Sequence, residues 1–387
     1  MSASLAASGP SWITESQCDL DEFARQVLRG TDLADYPHAT DVRCNVLVYS
    51  AADIAGADRR ALQAELIVAL TDGPGVVVFE GAFADEVVDR ASAAFTDIIA
   101  DQRAAGGAAG DHFGKAGAND RVWNAAQKLA LHSPEVYAHY YAADTLALMS
   151  QAWLGPRYQL TSQVNVVNPG GAAQIPHRDY HLGFVDPDRL ADYPGHMHRV
   201  SAALTLQGAV AHCDMPSQSG PTMLLPYSQR FAAGYIGFYR PEFIEFFAAH
   251  HVQVPLRKGD AVFFNPALYH GAGENTSTDI SRMANLLQIS SPFGRAMEAL
   301  DRTAMVKAVY PVLLDMRRAG RPDGELANIV NATAEGYAFP TNLDRDQPIG
   351  SLAPPSQVDT VLAALADGLS ATELDDILDA QNERRIP

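Results

Sequence analysis

Cysteine is scarce in this sequence. There are three in 387 residues, Cys18, Cys44 and Cys213, an odd number at wide spacing with no CxxC pair. That excludes a disulfide framework, a thiolate metal site and a redox dithiol, and it fits a reducing compartment. Positive charge is thin as well: 28 Lys and Arg stand against 46 Asp and Glu, for a net charge of −18. Such a chain lacks the electrostatic footprint of a nucleic-acid binder and the basic clusters that hold proteins on anionic membranes. No apolar run approaches the ~18 residues of a membrane span. The opening MSASLAASGPSW has no basic stretch ahead of an apolar one, so no secretory signal is read there. A soluble, cytoplasmic protein is expected. Also missing are a GxSxG elbow, a P-loop and a GxGxxG pattern, which removes the serine-hydrolase and nucleotide-binding signatures.

What is present is an ordinary folding composition, 47% apolar and 19% charged, enough for a sizeable core without staples. The first half alternates helical and strand patterns. Helices are expected over DLDEFARQVL, DRRALQAELIVALTD and ADEVVDRASAAFTDIIADQRAA, and one more over 133–154; strands are expected over RCNVLVYS and VVVFEG. The Gly- and Ala-rich stretch 104–122 reads as a mobile surface loop of the kind that borders active sites. From about residue 157 the texture changes. YQLTSQVNVV, RVSAALTLQGAV, GPTMLLP, HVQVPL, DAVFFNPALY and RMANLLQIS are short and strand-like, interrupted by one helix near 241–250. Even spacing of such strands suggests a sandwich, barrel or jelly roll. After Pro292 the chain turns helical again and ends on an amphipathic helix beyond SLAPPSQ. That apolar stripe packs on the chain's own core or makes a homodimer contact.

With 12 histidines, pairs occur by chance. The cluster with the most chemical sense is IPHRDYH, residues 175–181. In an extended segment His177 and Asp179 share one face, two-thirds of a 2-His-1-carboxylate set that holds Fe(II) with positions left open. The third ligand should come from a distant strand. His270 ends the apolar run DAVFFNPALYH, 93 residues downstream of His177. Beyond it Arg282 opens a strand of apolar and amide residues, where a buried guanidinium needs an anionic partner and offers a fork for a carboxylate. Gln163 and Asn165 share a face of the strand before the HxD and could meet the same anion or simply be buried amides. His181 reads as a pocket residue, His196 and His198 as solvated, His250 and His251 as structural, Tyr269 as packing, and Lys115 and Trp123 as candidates for the pocket wall.

Taken in order, NPGGAAQIPHRDYH, SGPTMLLPYSQRF and VPLRKGDAVFFNPALYHGAGENTSTDISR make the chain resemble the phytanoyl-CoA dioxygenase family of Fe(II)/2-oxoglutarate-dependent oxygenases, from about residue 62 to 293. The resemblance implies a mainly β fold with flanking helices (α+β) around a cupin-like double-stranded β-helix, or jelly roll. It implies an oxygenase domain over 61–294, an N-terminal extension over 1–60 and a helical extension over 295–387. It implies His177, Asp179 and His270 as ligands of Fe(II), Arg282 on the far carboxylate of the co-substrate 2-oxoglutarate, and a small-molecule substrate oxidised by dioxygen with release of succinate and carbon dioxide. Related halogenases have a small residue in place of the aspartate, so Asp179 argues for hydroxylation or another oxidation. The family's small hydroxyl residue two positions after the distal histidine is replaced by Ala272; Asn275, Thr276 or Ser277 would have to supply that contact. Its PGSH-like segment is PYSQ, residues 226–229. The competing class is a non-redox metalloenzyme, a cupin-type hydrolase or isomerase using the same His/Asp/His set.

Overall fold

The computed structural model describes residues 11–105 and 119–387. Most of the Gly- and Ala-rich stretch, with Lys115, lies outside them; Asn119–Val122 at its end is a strand. In chain order the strands are β1 Asp41–Arg43, β2 Val46–Ser50, β3 Val76–Glu80, β4 Asn119–Val122 and β5 Gln159–Val167. Then follow β6 Thr205–Ala211, β7 Met223–Leu225, β8 Ala261–Phe264, β9 Tyr269–Gly271 and β10 Arg282–Ser290. Eight of them form one mixed sheet in the order β1-β2-β3-β8-β6-β10-β5-β4, and β7 and β9 form a second sheet. The chain divides into two compact units, one built from 1–81, 110–120 and 166–284, the other from 82–109, 121–165 and 285–387. Strands β5 and β10 each cross from one to the other.

In the first unit β2, β3 and β8 are unbroken apolar runs (VLVYS, VVVFE, AVFF), buried along nearly their whole length. That pattern marks strands covered on both faces. β1 and β2 are a hairpin closed by Cys44 and Asn45, both at positive φ (51° and 67°), the two-residue turn whose twist suits antiparallel strands. β2 and β3 are parallel and need a crossover, which the helices Ala51–Ile54 and Arg59–Thr71 provide. Asp58 caps the longer one through Arg60 N and Ala61 N. β8 pairs antiparallel with β3 on one side and with β6 on the other. The second sheet pairs β7 and β9 antiparallel and gains single bridges, His177 to His270 and Leu224 to Val252. Beside it lies an aromatic core in which Phe23 meets Phe231, Phe243 and Tyr269, each at 5.1 Å.

The second unit is helical around the remaining strand lengths. Helix Asp85–Ala104 is followed by Ala125–His132, Pro134–Tyr141 and Asp144–Leu154, and Arg302–Arg318, Asp323–Thr333, Gln357–Asp367 and Ala371–Arg385 complete it. Buried Arg302 donates to the carbonyls of Leu160 (3.0 Å) and Thr333 (3.3 Å). The Tyr141 hydroxyl meets Ser162 at 2.9 Å, and Asn285 donates to the hydroxyls of Tyr140 and Tyr141.

Sheets with flanking helices are as expected, but helices carry far more of the chain than strands do, so the architecture is mixed α/β rather than mainly β. The single helix expected over 133–154 is two, separated at Ala142–Ala143, behind an earlier one that ends at His132. The last helix is likewise two, parted by Gly368 in the left-handed region (φ 70°). RVSAA belongs to helix Gly195–Ala203 rather than to a strand. HVQVPL forms only isolated bridges at Val252 and Leu256. Among the described residues no helix is long and apolar enough to cross a membrane.

Candidate metal centre

The site is built on two extended stretches of the first unit. Residues 174–179 run against 266–272: Gln174 N donates to Ala272 O (2.9 Å), Asp179 N to Pro266 O (3.0 Å), and His177 and His270 exchange backbone bonds of 2.9 and 3.2 Å. Directly opposed residues project to one face, as do positions two apart. The pairing therefore brings His177, Asp179 and His270 together, with one ligand atom from each lying within 4.8 Å of the others. The imidazole rings are 4.4 Å apart, and Phe264 packs on His270 at 4.8 Å.

Each histidine anchors its Nδ1 on the carbonyl two residues before it, His177 on Ile175 O (3.2 Å) and His270 on Leu268 O (2.8 Å). A carbonyl only accepts, so Nδ1 carries the proton. Both Nε2 atoms are then turned to Asp179 Oδ2, at 3.8 Å from His177 and 3.5 Å from His270. A protonated ring donates to that oxygen; a neutral ring offers a lone pair in the same place. Burial, with the neighbouring His270, pushes the His177 pKa below its usual value against the pull of Asp179, favouring the neutral form. Burial alone would raise the Asp179 carboxyl, but the close imidazoles of His270 and His177 and the hydrogen bond from Gln207 outweigh it and hold the group ionised. Two imidazole nitrogens, each fixed by a carbonyl behind it, and one carboxylate oxygen fit a divalent transition metal with coordination positions left open.

Arg178, between two of these residues in sequence, points the other way. It is almost completely buried, donates to Ser228 O (2.5 Å) and Phe231 O (3.1 Å), and lies over the rings of Tyr235 and Tyr269 at 5.0 and 5.1 Å. Gly234 faces its guanidinium so closely that a Cβ there would collide with it. Arg282 is buried in the same unit. Its Nη1 donates to Ser219 O (3.1 Å) and Gly273 O (3.4 Å). No carboxylate among the described residues pairs with it, and burial pulls its pKa down to about 10.

The other residues singled out from the sequence fall in varied places. Gln163, in the second unit, accepts from Arg121 and donates to Gln288 Oε1 (3.1 Å). Asn165, also in the second unit, keeps a buried Oδ1 with no partner among the described residues. Trp123 is stacked under Arg121. Asn275, Thr276 and Ser277 are occupied by protein partners: Asn275 donates to Val167 O and Ile280 O, Thr276 reaches Gln218 O, and Ser277 turns onto Asn275. Tyr269 packs as expected, its hydroxyl on Gly234 O. In PYSQ, Ser228 accepts from Tyr269 N (2.8 Å) and Gln229 reaches Gly73 O (2.9 Å). His181 starts a short 3-10 turn at positive φ (48°) rather than continuing a strand. His196 and His198 sit on a helix, and His198 is buried rather than solvated. His250 and His251 stack on Phe246 and Phe247. Sequence reading missed Gln207, whose Nε2 donates to Asp179 Oδ2 at 2.7 Å; a polar residue inside an apolar strand was its only signal.

Comparison with known proteins adds the family. No curated protein matches the chain. Several solved structures are similar to it. The α-ketoglutarate-dependent epimerase SnoN from nogalamycin biosynthesis, in complex with Fe3+, α-ketoglutarate and nogalamycin RO, is 21% identical over 60% of this chain and 85% of its own, with a TM-score of 0.42. The carbocyclase SnoK of the same biosynthesis is 20% identical over 57% and 80%, with a TM-score of 0.39. HygX from Streptomyces hygroscopicus, with nickel and 2-oxoglutarate bound, is 16% identical over 59% and 88%, with a TM-score of 0.40. The sequence pattern described as phytanoyl-CoA dioxygenase (PhyH) matches residues 71–284, more than half of the chain. That stretch contains all three residues of the triad and Arg282, and the chain belongs to the phytanoyl-CoA dioxygenase (PhyH) family.

Proposed function

We propose that this protein is an Fe(II)- and 2-oxoglutarate-dependent oxygenase that hydroxylates, or otherwise oxidises, an unactivated C–H bond of a small metabolite or natural-product intermediate. His177, Asp179 and His270 would be the metal ligands, within a jelly-roll domain over 61–294 flanked by the extensions 1–60 and 295–387. The β7–β9 pair, widened by single bridges, supports that fold only in giving a second sheet in addition to the eight-stranded one. The observation that carries the reading is the triad itself: one ligand atom from each residue lies within 4.8 Å of the others, both Nε2 atoms face Asp179 Oδ2 at 3.8 and 3.5 Å, and both Nδ1 atoms are tied back to carbonyls.

The bound metal would let dioxygen, the oxidant, convert 2-oxoglutarate to succinate and carbon dioxide while the substrate is oxidised, one oxygen atom going to succinate and, in a hydroxylation, the other to the substrate. The chain's own residues would do the rest. The carbonyls of Ile175 and Leu268 hold the imidazole tautomers. Asp179 occupies one ligand position with its carboxylate, leaving no small-residue gap for a halide. Arg282, buried and lacking a carboxylate partner, would bind the distal carboxylate of 2-oxoglutarate through its fork. The competing hydrolase or isomerase reading needs the same triad but gives Arg282 no task.

The test is an anaerobic titration with Fe(II) and 2-oxoglutarate, following the weak visible charge-transfer band of the chelate. The wild type should show the band, His177→Ala should lose it, and Arg282→Ala should need far more 2-oxoglutarate. Absence of a band together with tight binding of another metal at the triad would overturn the proposal in favour of the non-redox enzyme. Succinate release then serves to screen substrates.

A further inference from the structure

Asp179 is held from several sides. Its N–H donates to Pro266 O (3.0 Å) and its carbonyl accepts from the Tyr235 hydroxyl (3.3 Å), so its backbone is pinned. The carboxylate retains a soft terminal torsion, broad and two-fold. Among the described residues the amide that stops it is that of Gln207, through the 2.7 Å bond from Nε2 to Oδ2. Oδ2 is also the oxygen turned to both imidazoles.

The sheet explains why Gln207 is there. In the antiparallel β6–β8 pair it lies directly opposite Phe264, and opposed residues emerge on one face. Phe264 packs on the His270 ring at 4.8 Å while Gln207 grips Asp179, so a single rung braces two of the three triad residues. The amide has one sensible orientation. Its Oε1 is buried with no donor among the described residues; turned over, that oxygen would face Oδ2, acceptor against acceptor.

We propose that Gln207 is a positioning residue for the metal centre: it fixes the carboxylate of Asp179 in the orientation that binds the ion. The proposal rests on His177, Asp179 and His270 being metal ligands. Groups that orient a ligand in this way are worth about 10- to 100-fold in metal affinity, and Gln207 should be worth the same.

The experiment is a titration of the full-length protein with Co(II), a spectroscopically visible substitute, reading both the dissociation constant and the d–d absorption bands. Gln207→Met keeps the length of the side chain and removes the donor. Gln207→Asn keeps the amide and withdraws it by one methylene. Circular dichroism of the metal-free proteins establishes which variants are folded, and Gln207→Asn carries the test should Gln207→Met fail to fold. The folded variants should bind Co(II) about 10- to 100-fold more weakly, with shifted bands. A folded variant with wild-type affinity and an unchanged spectrum overturns the positioning role, even if its melting temperature has dropped, since a merely structural glutamine would behave in that way. Asp179→Ala separates the two layers of the argument: if it binds Co(II) like the wild type, the metal-ligand reading itself has failed, whatever Gln207 does.

Discussion

Arg178 and Arg282 are both buried guanidinium groups in the same unit, and they are finished differently. Arg178 is closed. Two carbonyls accept from it, two tyrosine rings sandwich it, and Gly234 leaves room only for it. Arg282 is open. Two carbonyls accept from Nη1, at 3.1 and 3.4 Å, while neither a ring nor a carboxylate among the described residues completes its fork. A cation costs free energy to bury, and the structure repays that cost either with its own atoms or with those of a ligand. The first arginine is part of the frame on which the triad stands; the second keeps donors to spare, which on the proposed function would meet an arriving anion.

This contrast can be broken by mutation. Removing the closed arginine should have the largest effect: Arg178→Ala strands the Ser228 and Phe231 carbonyls and leaves a cavity, costing about 3–5 kcal/mol of stability in urea unfolding. Arg282→Ala should change stability by no more than about 1 kcal/mol. Equal losses would erase the distinction. Gly234→Ala presses a methyl group into the Arg178 guanidinium and should cost about 1–3 kcal/mol in the same assay, with no specific effect on 2-oxoglutarate binding by the folded fraction. Arg282→Lys keeps the charge but loses the fork. It should weaken 2-oxoglutarate binding about tenfold, measured from the charge-transfer band at saturating Fe(II), with the melting temperature little changed.

The smallest effect is one of pH on the metal-free protein. His177 is held below the ordinary histidine value of 6.5, so the native state resists its protonation. Stability should be fully present above that value and decline as pH falls below it. Asp179, also held below its ordinary 3.8, contributes stability that is present above that value and lost as pH falls further. Urea midpoints from pH 7 down to pH 3 measure both, and His177→Gln should remove the first decline and, by taking away one of the imidazoles that hold Asp179 down, weaken the second.

Much of the site was legible from residue types alone. A histidine and an aspartate two apart, a second histidine at the end of an apolar run and an arginine after it are local patterns with chemical meaning, and the pairing of 174–179 with 266–272 brings the first three together. Helices with clear apolar periodicity, such as Pro241–His250 and Arg59–Thr71, were legible for the same reason. What stayed hidden depends on contacts that periodicity does not encode. Cys44–Asn45 closes a hairpin without the usual glycine. The short His-x-His spacing at 196–198 looks extended, yet Gly195–Ala203 is helical and tucks His198 inside. Arg178 sits between two triad residues in sequence, and strand alternation turns it into the aromatic core. Gln207 is one polar letter in an apolar strand, and only the register opposite Phe264 gives it meaning.

The two compact units are interleaved along the chain, three stretches each, and this bears on how the protein is made. While a ribosome delivers the chain from its N-terminus, the first unit waits for residue 284 before it is whole, and the second waits for the last helix, Ala371–Arg385. Closure between such distant stretches is entropically slow. The first unit can therefore close while much of the second is still to be made, and a nascent chain halted before residue 270 carries two of the triad's three side chains and nothing to complete them.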